Sequence, residues 1–222
     1  IAQTNHLKKN IKFEKNNSKR IEVLTAILLS GLVFKEYLDN FDISIKELEK
    51  LVKVYFDNDG FPLTRNPNDL IFSSKYLILC KESIKDAQQY VPEFLETIID
   101  KNLRCIKGIQ TPNNQIPLFN GGTEDNLEQF NRFFDGLNYK PKDKKNMIGG
   151  IHAFRVRNNA IFFEVGEPPK KNFSNSYQSG PLSFEYYLDG EKIITNCGFG
   201  SRISTKAELL SRLTSAQSTL TL

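Results

Sequence analysis

Cysteine and histidine are scarce in this sequence, with three cysteines and two histidines in 222 residues. Cys80, Cys105 and Cys197 show no C-x-x-C spacing, so a disulfide framework is not indicated. Two of the three have apolar neighbours, and we expect all three to be buried, inert thiols. His6 is expected on a helix surface, and His152 half buried on a strand without a suitably spaced metal-binding partner.

Long apolar runs are also absent. The longest, at 23–34, is interrupted by polar residues and is shorter than the roughly 20 residues that span a bilayer, so no transmembrane helix is predicted. The chain opens at Ile1 without an initiator methionine and closes at Leu222 inside an apparent strand, which suggests a fragment. The missing signal peptide therefore does not bear on export, and the compartment stays open between periplasm and cytoplasm.

Nucleotide-binding and nucleophile motifs are missing as well. The Gly-Gly pairs at 121–122 and 149–150 lack the strand-to-helix context of a phosphate-binding loop. The lysines at 142, 144 and 145 have no interleaved aromatic residues, so nucleic-acid binding is not expected. A net charge of +4 would suit an anionic polymer, but it is equally common in proteins that bind none.

The first two thirds of the chain have helical periodicity. Apolar spacing predicts helices at 19–39, 69–87, 92–109 and 124–137, and a partial stripe lies within 1–17. Ser44 and Glu47 are predicted to form a capping box for a further helix through Phe56. The polar, Gly- and Pro-rich stretch 57–67 predicts a turn, after which Asn66 and Pro67 begin the next helix.

The period changes to that of strands after a charged linker at 139–146. Two strands, 151–156 and 160–165, are joined by a two-residue turn. Runs at 182–188 and 192–196 flank Asp189-Gly190, the strongest short-range hairpin signal in a sequence. A short helical pattern then precedes a third candidate strand at 218–222. The sequence thus predicts an α+β chain, with a helical domain at 1–146 and an antiparallel β domain at 147–222.

The C-terminal motifs resemble a known family. Leu182-Ser183-Phe184-Glu185, the hairpin, the strand end at 194–198 and the segment 212–220 are similar to the heparinase II/III-like C-terminal domain. Upstream, the stretches 59–67, 117–122 and 162–169 resemble a bacterial branch of the same family. The resemblance implies the last helical hairpins of an α/α toroid followed by the start of a β-sandwich. It also implies β-elimination on an acidic, uronate-containing polysaccharide.

The sequence departs from the family pattern at four positions. In the family's lyases these positions hold a catalytic His and three zinc ligands, His, Asp and His; here they hold Ser176, Gln178, Asn196 and Gln217. Amide oxygens bind zinc poorly beside imidazole and carboxylate, so neither a metal nor another cofactor is expected. The three amides could instead form a neutral hydrogen-bonded cluster, or they could be unrelated loop residues.

The β-elimination that the resemblance implies also indicates candidate site residues. Tyr177 could act as base or acid beside Ser176, and Arg202 or Arg212 could neutralise the substrate carboxylate; the catalytic candidates are Tyr177, Ser176 and Arg212. The substrate-binding candidates are Arg65, Asn66, Asn120, Gln178, Asn196, Arg202 and Gln217. A catalytic tyrosine that the family carries after the Pro67 position is replaced here, because Asn68 and Asp69 stand there.

Three functional hypotheses follow. The protein is a metal-free polysaccharide lyase, or a protein that binds acidic glycan without cleaving it, or a remnant of the fold with a role in assembly. The first requires a titratable base in the cleft, and the third predicts no sugar binding.

Overall fold

The computed structural model describes residues 2–124, 127–136, 139 and 146–219. Among the described residues, six α-helices precede the strands and one follows them, which confirms the predicted α+β class. The helices are α1 (Ala2–Asn10), α2 (Asn17–Val33), α3 (Leu38–Tyr55), α4 (Pro67–Asp86), α5 (Glu93–Ile109), α6 (Glu128–Gly136) and α7 (Thr205–Ser211). The strands are β1 (Met147–Ile148), β2 (Ile151–Val156), β3 (Asn159–Glu164), β4 (Phe184–Leu188) and β5 (Glu191–Ile194).

The first six helices form a packed helical part. Helix α2 packs against α3 and α4, and α4 packs against α5. Gly31 allows the closest approach of α2 and α3, because a Cβ atom there would lie 2.5 Å from the backbone nitrogen of Phe41. Among the described residues, no helix has both the length and the apolar character needed to cross a bilayer.

Helix starts show where the sequence prediction holds and where it fails. Helix α4 begins as predicted, since the Asn66 side chain accepts a hydrogen bond from the Asn68 N–H at 2.9 Å and Pro67 is the first helical residue. The capping box at Ser44 is wrong. Helix α3 already begins at Leu38. Phe41, before Ser44, and Ile45, just after it, both pack against the core, so Ser44 lies inside the helix.

The five strands form one antiparallel sheet in the order β1-β2-β3-β4-β5. Both predicted hairpins are confirmed, and Asp189 and Gly190 have φ values of 50° and 89°, as a turn of the mirrored type requires. The inward-facing side chains join one hydrophobic core with the helices; they are Ile151, Ala153, Ala160, Phe162 and Tyr187. The sheet therefore rests on the helical part, and α5 contacts both β1 and β2.

Several smaller predictions can also be compared with the structure. Cys80 and Cys105 are buried, and burial raises the pKa of the Cys80 thiol to about 12. The expectation of a buried Cys197 is wrong, because this residue lies exposed in the loop after β5. Most of the predicted linker at 139–146 and positions 220–222 of the predicted last strand lie outside the described residues. At the start of that strand, the Ser218 carbonyl accepts a hydrogen bond from the Phe184 N–H at 3.2 Å.

Candidate functional site

A buried carboxylate, Glu164 at the end of β3, joins the helical part to the sheet. Its Oε1 accepts a hydrogen bond from Arg65 Nη2 at 2.7 Å, and its Oε2 accepts one from Asn120 Nδ2, also at 2.7 Å. Glu164 and Asn120 are 3% and 2% exposed. Three distant segments, the turn 57–67, the loop 117–122 and strand β3, therefore meet at one carboxyl group. We call Arg65, Asn120 and Glu164 the Glu164 cluster.

The Arg65 guanidinium is enclosed by backbone. It also donates to the carbonyl oxygen of Glu167, and Cβ atoms built on Gly150 and Gly166 would lie 1.4 and 1.7 Å from Arg65 Nη2. These two glycines leave room for the guanidinium that a side chain would fill. Burial raises the pKa of Glu164, although Arg65, Asn120 and the Gly166 N–H all oppose that rise.

Tyr177 lies half buried within the electrostatic range of this cluster. Burial is the first cause that raises the pKa of its phenol, the Glu164 charge is the second, and Arg65 acts in the opposite direction. A phenol whose pKa is raised keeps its proton at neutral pH. At neutral pH the Tyr177 phenol is therefore in its protonated form.

Ser176 and Asn66 meet beside Gly121. Asn66 Nδ2 donates to Ser176 Oγ at 3.3 Å, while the Asn66 Oδ1 caps α4. A Cβ atom on Gly121, which has a φ of 97°, would lie 2.6 Å from Asn66 Nδ2 and 2.7 Å from Ser176 Cβ. Glycine is thus required where these two side chains approach the loop 117–122.

The Gln178 and Gln217 side chains share one backbone acceptor. Both Nε2 groups donate to the Ser211 carbonyl oxygen, at 2.8 and 2.7 Å. Gln178 is 2% exposed and makes two further bonds, accepting from the Gly121 N–H at 3.1 Å and donating to the Gly198 carbonyl at 2.8 Å. This amide therefore joins the loop 117–122 to the segments after β5 and at the end of α7.

Asn196 reaches the same region through Ser218. Its Oδ1 accepts from the Ser218 N–H and from Ser218 Oγ, each at 3.1 Å, and Ser218 follows Gln217 directly. We call Gln178, Asn196 and Gln217 the amide cluster. Its members lie on neighbouring segments and hold them together.

Beneath Asn196 lies a second buried carboxylate, Glu185. It accepts hydrogen bonds at 3.0 to 3.3 Å from four groups: the Leu118 N–H, Thr195 Oγ1, the Asn196 N–H and the Tyr187 hydroxyl. With no exposed surface, this carboxylate anchors the loop 117–122 to β4 and β5.

The remaining predicted residues lie apart from these clusters. The Arg212 guanidinium lies over the Phe199 ring, 5.7 Å from its centroid, and the Arg212 carbonyl accepts from the Ser179 N–H. Arg202 is exposed on a short 3-10 helix, Gly200–Arg202, and does not line the cleft that contains Ser176.

That cleft, of about 200 Å³, lies where the helices meet the loop between β3 and β4 and the segments after β5. Asn66, Asp69, Ser176 and Phe199 are among its lining residues, and we call it the junction cleft. Asp69 Oδ2 accepts from the Thr64 hydroxyl at 2.7 Å, and burial raises the pKa of this carboxyl. The cleft thus holds a serine, several amides, one lysine, Lys15, and two carboxyl groups, Asp69 and Glu208.

Comparison with known proteins identifies a family for the C-terminal part of the chain and a fold for nearly all of it. Residues 141–222 match the family model described as heparinase II/III-like, C-terminal. Residues 141–222 belong to the heparinase II/III-like family. Among curated proteins no sequence match is found.

Two solved structures share the fold of nearly the whole chain. A heparinase III with methylated lysines matches with a TM-score of 0.77 at 16% identity, over 99% of this chain and 38% of its own. The heparan sulfate lyase HepC from Pedobacter heparinus matches with a TM-score of 0.73 at 17% identity, over 91% of this chain and 37% of its own. The present chain therefore spans less than two fifths of the length of these structures.

The zinc site that the family resemblance implies does not fit the amide cluster. The side-chain oxygens of Gln178 and Asn196 already accept hydrogen bonds from the Gly121 and Ser218 N–H groups. Their nitrogens are amide donors without a lone pair for a metal. Among the described residues, no group of three or more His, Cys, Asp or Glu side chains is placed to hold a metal ion.

Sequence reasoning missed the carboxylates on which these contacts centre. Glu164 and Glu185 occupy inward positions of β3 and β4, on the same buried face as Phe162 and Tyr187. A charged residue in phase with the buried face of a strand is rare unless it is paired, and this pattern was the available signal. The partners could not have been found this way, because Arg65 and Asn120 are 99 and 44 residues from Glu164.

Proposed function

We propose that this heparinase II/III-like protein acts on acidic, uronate-containing polysaccharide by β-elimination and that the junction cleft receives the sugar. The observation that carries the proposal is the fold shared with a heparinase III and a heparan sulfate lyase, over 91 to 99% of this chain. The cleft itself supports it, because Asn66, Ser176 and Asp69 together offer hydrogen-bond donors, acceptors and a titratable group.

The elimination needs two proton transfers. A base takes the proton from C5 of the uronate, the C4–O bond breaks as the C4–C5 double bond forms, and the leaving oxygen receives a proton. Tyr177 is our candidate for the second transfer, because it follows Ser176 of the cleft directly in the sequence and its phenol is protonated at neutral pH. Asp69 is our candidate for the first transfer, since it is a carboxyl group in the wall of the junction cleft with a pKa raised by burial. Ser176 would position the sugar.

Substrate charge would be met at the edge of the cleft. A uronate carboxylate must be neutralised for the C5 proton to become acidic enough to remove. Arg65 is poorly suited, because its guanidinium is already committed to Glu164. Arg212, stacked over Phe199 beside the cleft, is the better candidate.

We also propose the domain arrangement that accompanies this function. Residues 1–146 would be the last helices of an α/α toroid, and 147–222 the start of an antiparallel β-sandwich. The outer face of the sheet supports the second part, because it carries an aromatic row in which Phe154, Phe163 and Phe184 contact one another in sequence. A second sheet packed on this face would bury these rings.

A second candidate function is binding of the same polysaccharide without cleavage. The specific observation in its favour is the state of the replaced positions, because Gln178 and Asn196 are buried and engaged in hydrogen bonds. Such residues maintain the shape of the loops and transfer no protons.

The test is an elimination assay on the full-length protein. We expect absorbance of the unsaturated uronate to rise with heparan sulfate or alginate, to survive a chelator, and to fall at least about 100-fold in Tyr177→Phe. Tyr90→Phe is the matched control, since Tyr90 is 81% exposed and lies on another surface. Binding of every polymer without any rise would replace elimination with the binding function. Absence of both would refute the two candidates together.

A further inference from the structure

A second cleft adjoins the junction cleft and has a different character. It has a volume of about 330 Å³ and shares Asn16 and Asp69 with the junction cleft. Lys19, Lys75 and Arg202 line it, and we call it the basic cleft. Because the two clefts have walls in common, one extended ligand could occupy both.

The three cations come from separate parts of the fold. Lys19 belongs to the first turn of α2, Lys75 to the middle of α4, and Arg202 to the 3-10 helix after β5. Their convergence therefore depends on tertiary structure and is not a run of basic residues in the sequence.

These cations are also available to a ligand. All three are exposed, and within the described part of the chain none forms an ion pair with a carboxylate. The carboxyl group in the wall is Asp69, and the Thr64 hydroxyl already donates to it. The basic cleft thus has an excess of positive charge without an internal partner.

The other residues that line the basic cleft indicate that its anionic ligand is a sugar. Asn16 provides an amide nitrogen that can donate to a hydroxyl group, and Ile71 and Phe72 provide an apolar wall. A nucleic acid strand would require several aromatic rings for successive bases, whereas this lining has Phe72 as its aromatic side chain. The Phe72 ring is moreover packed against Tyr76, with 4.9 Å between centroids.

We propose that the basic cleft is a subsite for an anionic group, sulfate or carboxylate, on the sugar next to the one in the junction cleft. The proposal rests on the proposed polysaccharide function and extends it from one sugar to two. Lys19, Lys75 and Arg202 bind the anionic group, and the subsite makes the protein prefer polymers with closely spaced charges.

The experiment measures binding to the full-length protein by calorimetry. The probes are a size-defined heparin oligosaccharide, its desulfated counterpart and a single-stranded DNA oligonucleotide. The test variant combines Lys19→Gln, Lys75→Gln and Arg202→Gln. The matched control combines Lys9→Gln, Lys46→Gln and Arg157→Gln, which remove the same number of exposed charges away from the cleft. Thermal unfolding verifies that both variants are folded.

We expect the test variant to bind the heparin oligosaccharide roughly 10- to 100-fold more weakly, from three exposed ionic contacts, and with a shallower salt dependence. The control should retain its affinity within about twofold. A loss restricted to the sulfated probe identifies sulfate as the bound group, and a loss for both sugar probes identifies carboxylate.

Three results would overturn the subsite. They are unchanged affinity of the test variant, an equal loss in the control variant, and tighter binding of the DNA through the same three residues. Failure of the wild-type protein to bind any sugar probe would instead overturn the proposed function, and the subsite with it. If the wild type binds a sugar probe and the test variant binds it with the same affinity, the subsite alone is overturned.

Discussion

The Glu164 cluster and the amide cluster both hold the loop 117–122 in place, but they use different chemical groups. Each joins the loop 117–122 to segments distant in sequence, through Asn120 in the first and through the Gly121 N–H in the second. The first relies on a buried ion pair between Arg65 and Glu164, whereas the second uses neutral amides alone.

The difference shows that one loop can be held in place either by a buried ion pair or by neutral side chains. A buried charge is tolerated only with a partner, so each member of the Glu164 cluster depends on the others. An amide donates and accepts at once, so Gln178 can join three segments without leaving a charge uncompensated. Loss of one residue should therefore have a larger effect in the charged cluster.

The largest effect is expected for Glu164→Ala. The substitution leaves the enclosed Arg65 guanidinium without its carboxylate and Asn120 without its acceptor. We expect the free energy of unfolding to fall by about 3–5 kcal/mol. Urea unfolding of the variant and the wild type measures this difference.

Glu167→Ala is the control for that change. Glu167 is exposed and contributes only its backbone carbonyl to Arg65, which alanine retains. Its effect should stay within about 0.5 kcal/mol. A similar, small effect for both variants would mean that the Arg65–Glu164 pair does not join the two parts of the fold.

A smaller effect is expected within the amide cluster. Gln178→Ala removes three hydrogen bonds from a buried site and should destabilise the protein by about 2–4 kcal/mol. Gln217→Ala, which removes the bond to the Ser211 carbonyl and a weak contact at Cys197, should destabilise it by about 0.5–1.5 kcal/mol. Urea unfolding of the two variants compares them, and a reversed order would contradict a central position of Gln178.

The sequence predicted the helices and strands better than the contacts between them. Most helices and both hairpins follow from local periodicity and turn residues, as at Asn66-Pro67 and Asp189-Gly190. The helix predicted at 19–39 is too long, because the backbone becomes extended at Phe34 and α3 begins at Leu38. The start of α3 was missed because Ser44, a favoured capping residue, is buried inside a helix whose apolar period begins upstream.

The site was predictable only where a local pattern or the family resemblance marked it. The amides were nominated because they stand at positions known from the family, and the structure brings Gln178 and Gln217 to one carbonyl oxygen. Arg65 and Asn120 were nominated for substrate, but the carboxylate that engages both lies on a strand far along the chain. Such a partnership is a product of tertiary packing, which no local pattern encodes. Their roles toward a substrate stay predictions.

The smallest expected effect concerns pH and separates the two clusters most directly. Burial raises the pKa of Glu164 in the folded protein above its unfolded value of roughly 4.3. The folded state therefore keeps this proton at pH values where the unfolded state has lost it, so the contribution of Glu164 to stability is greatest below that value. It is lost as pH rises through the folded pKa, at about 1.4 kcal/mol per unit of pKa difference.

Glu164→Gln removes this titration and keeps a side chain of similar shape, so the stability difference between wild type and variant should fall as pH rises from about 4 towards 7. Asp57 and Asp69, whose pKa values are also raised by burial, titrate in both proteins and cancel in the difference. The cost of Gln178→Ala should stay constant over the same range, because that amide carries no proton to lose. Urea unfolding at several pH values measures both differences. A flat difference for Glu164→Gln, or a sloping one for Gln178→Ala, would show that charge is not what distinguishes the two clusters.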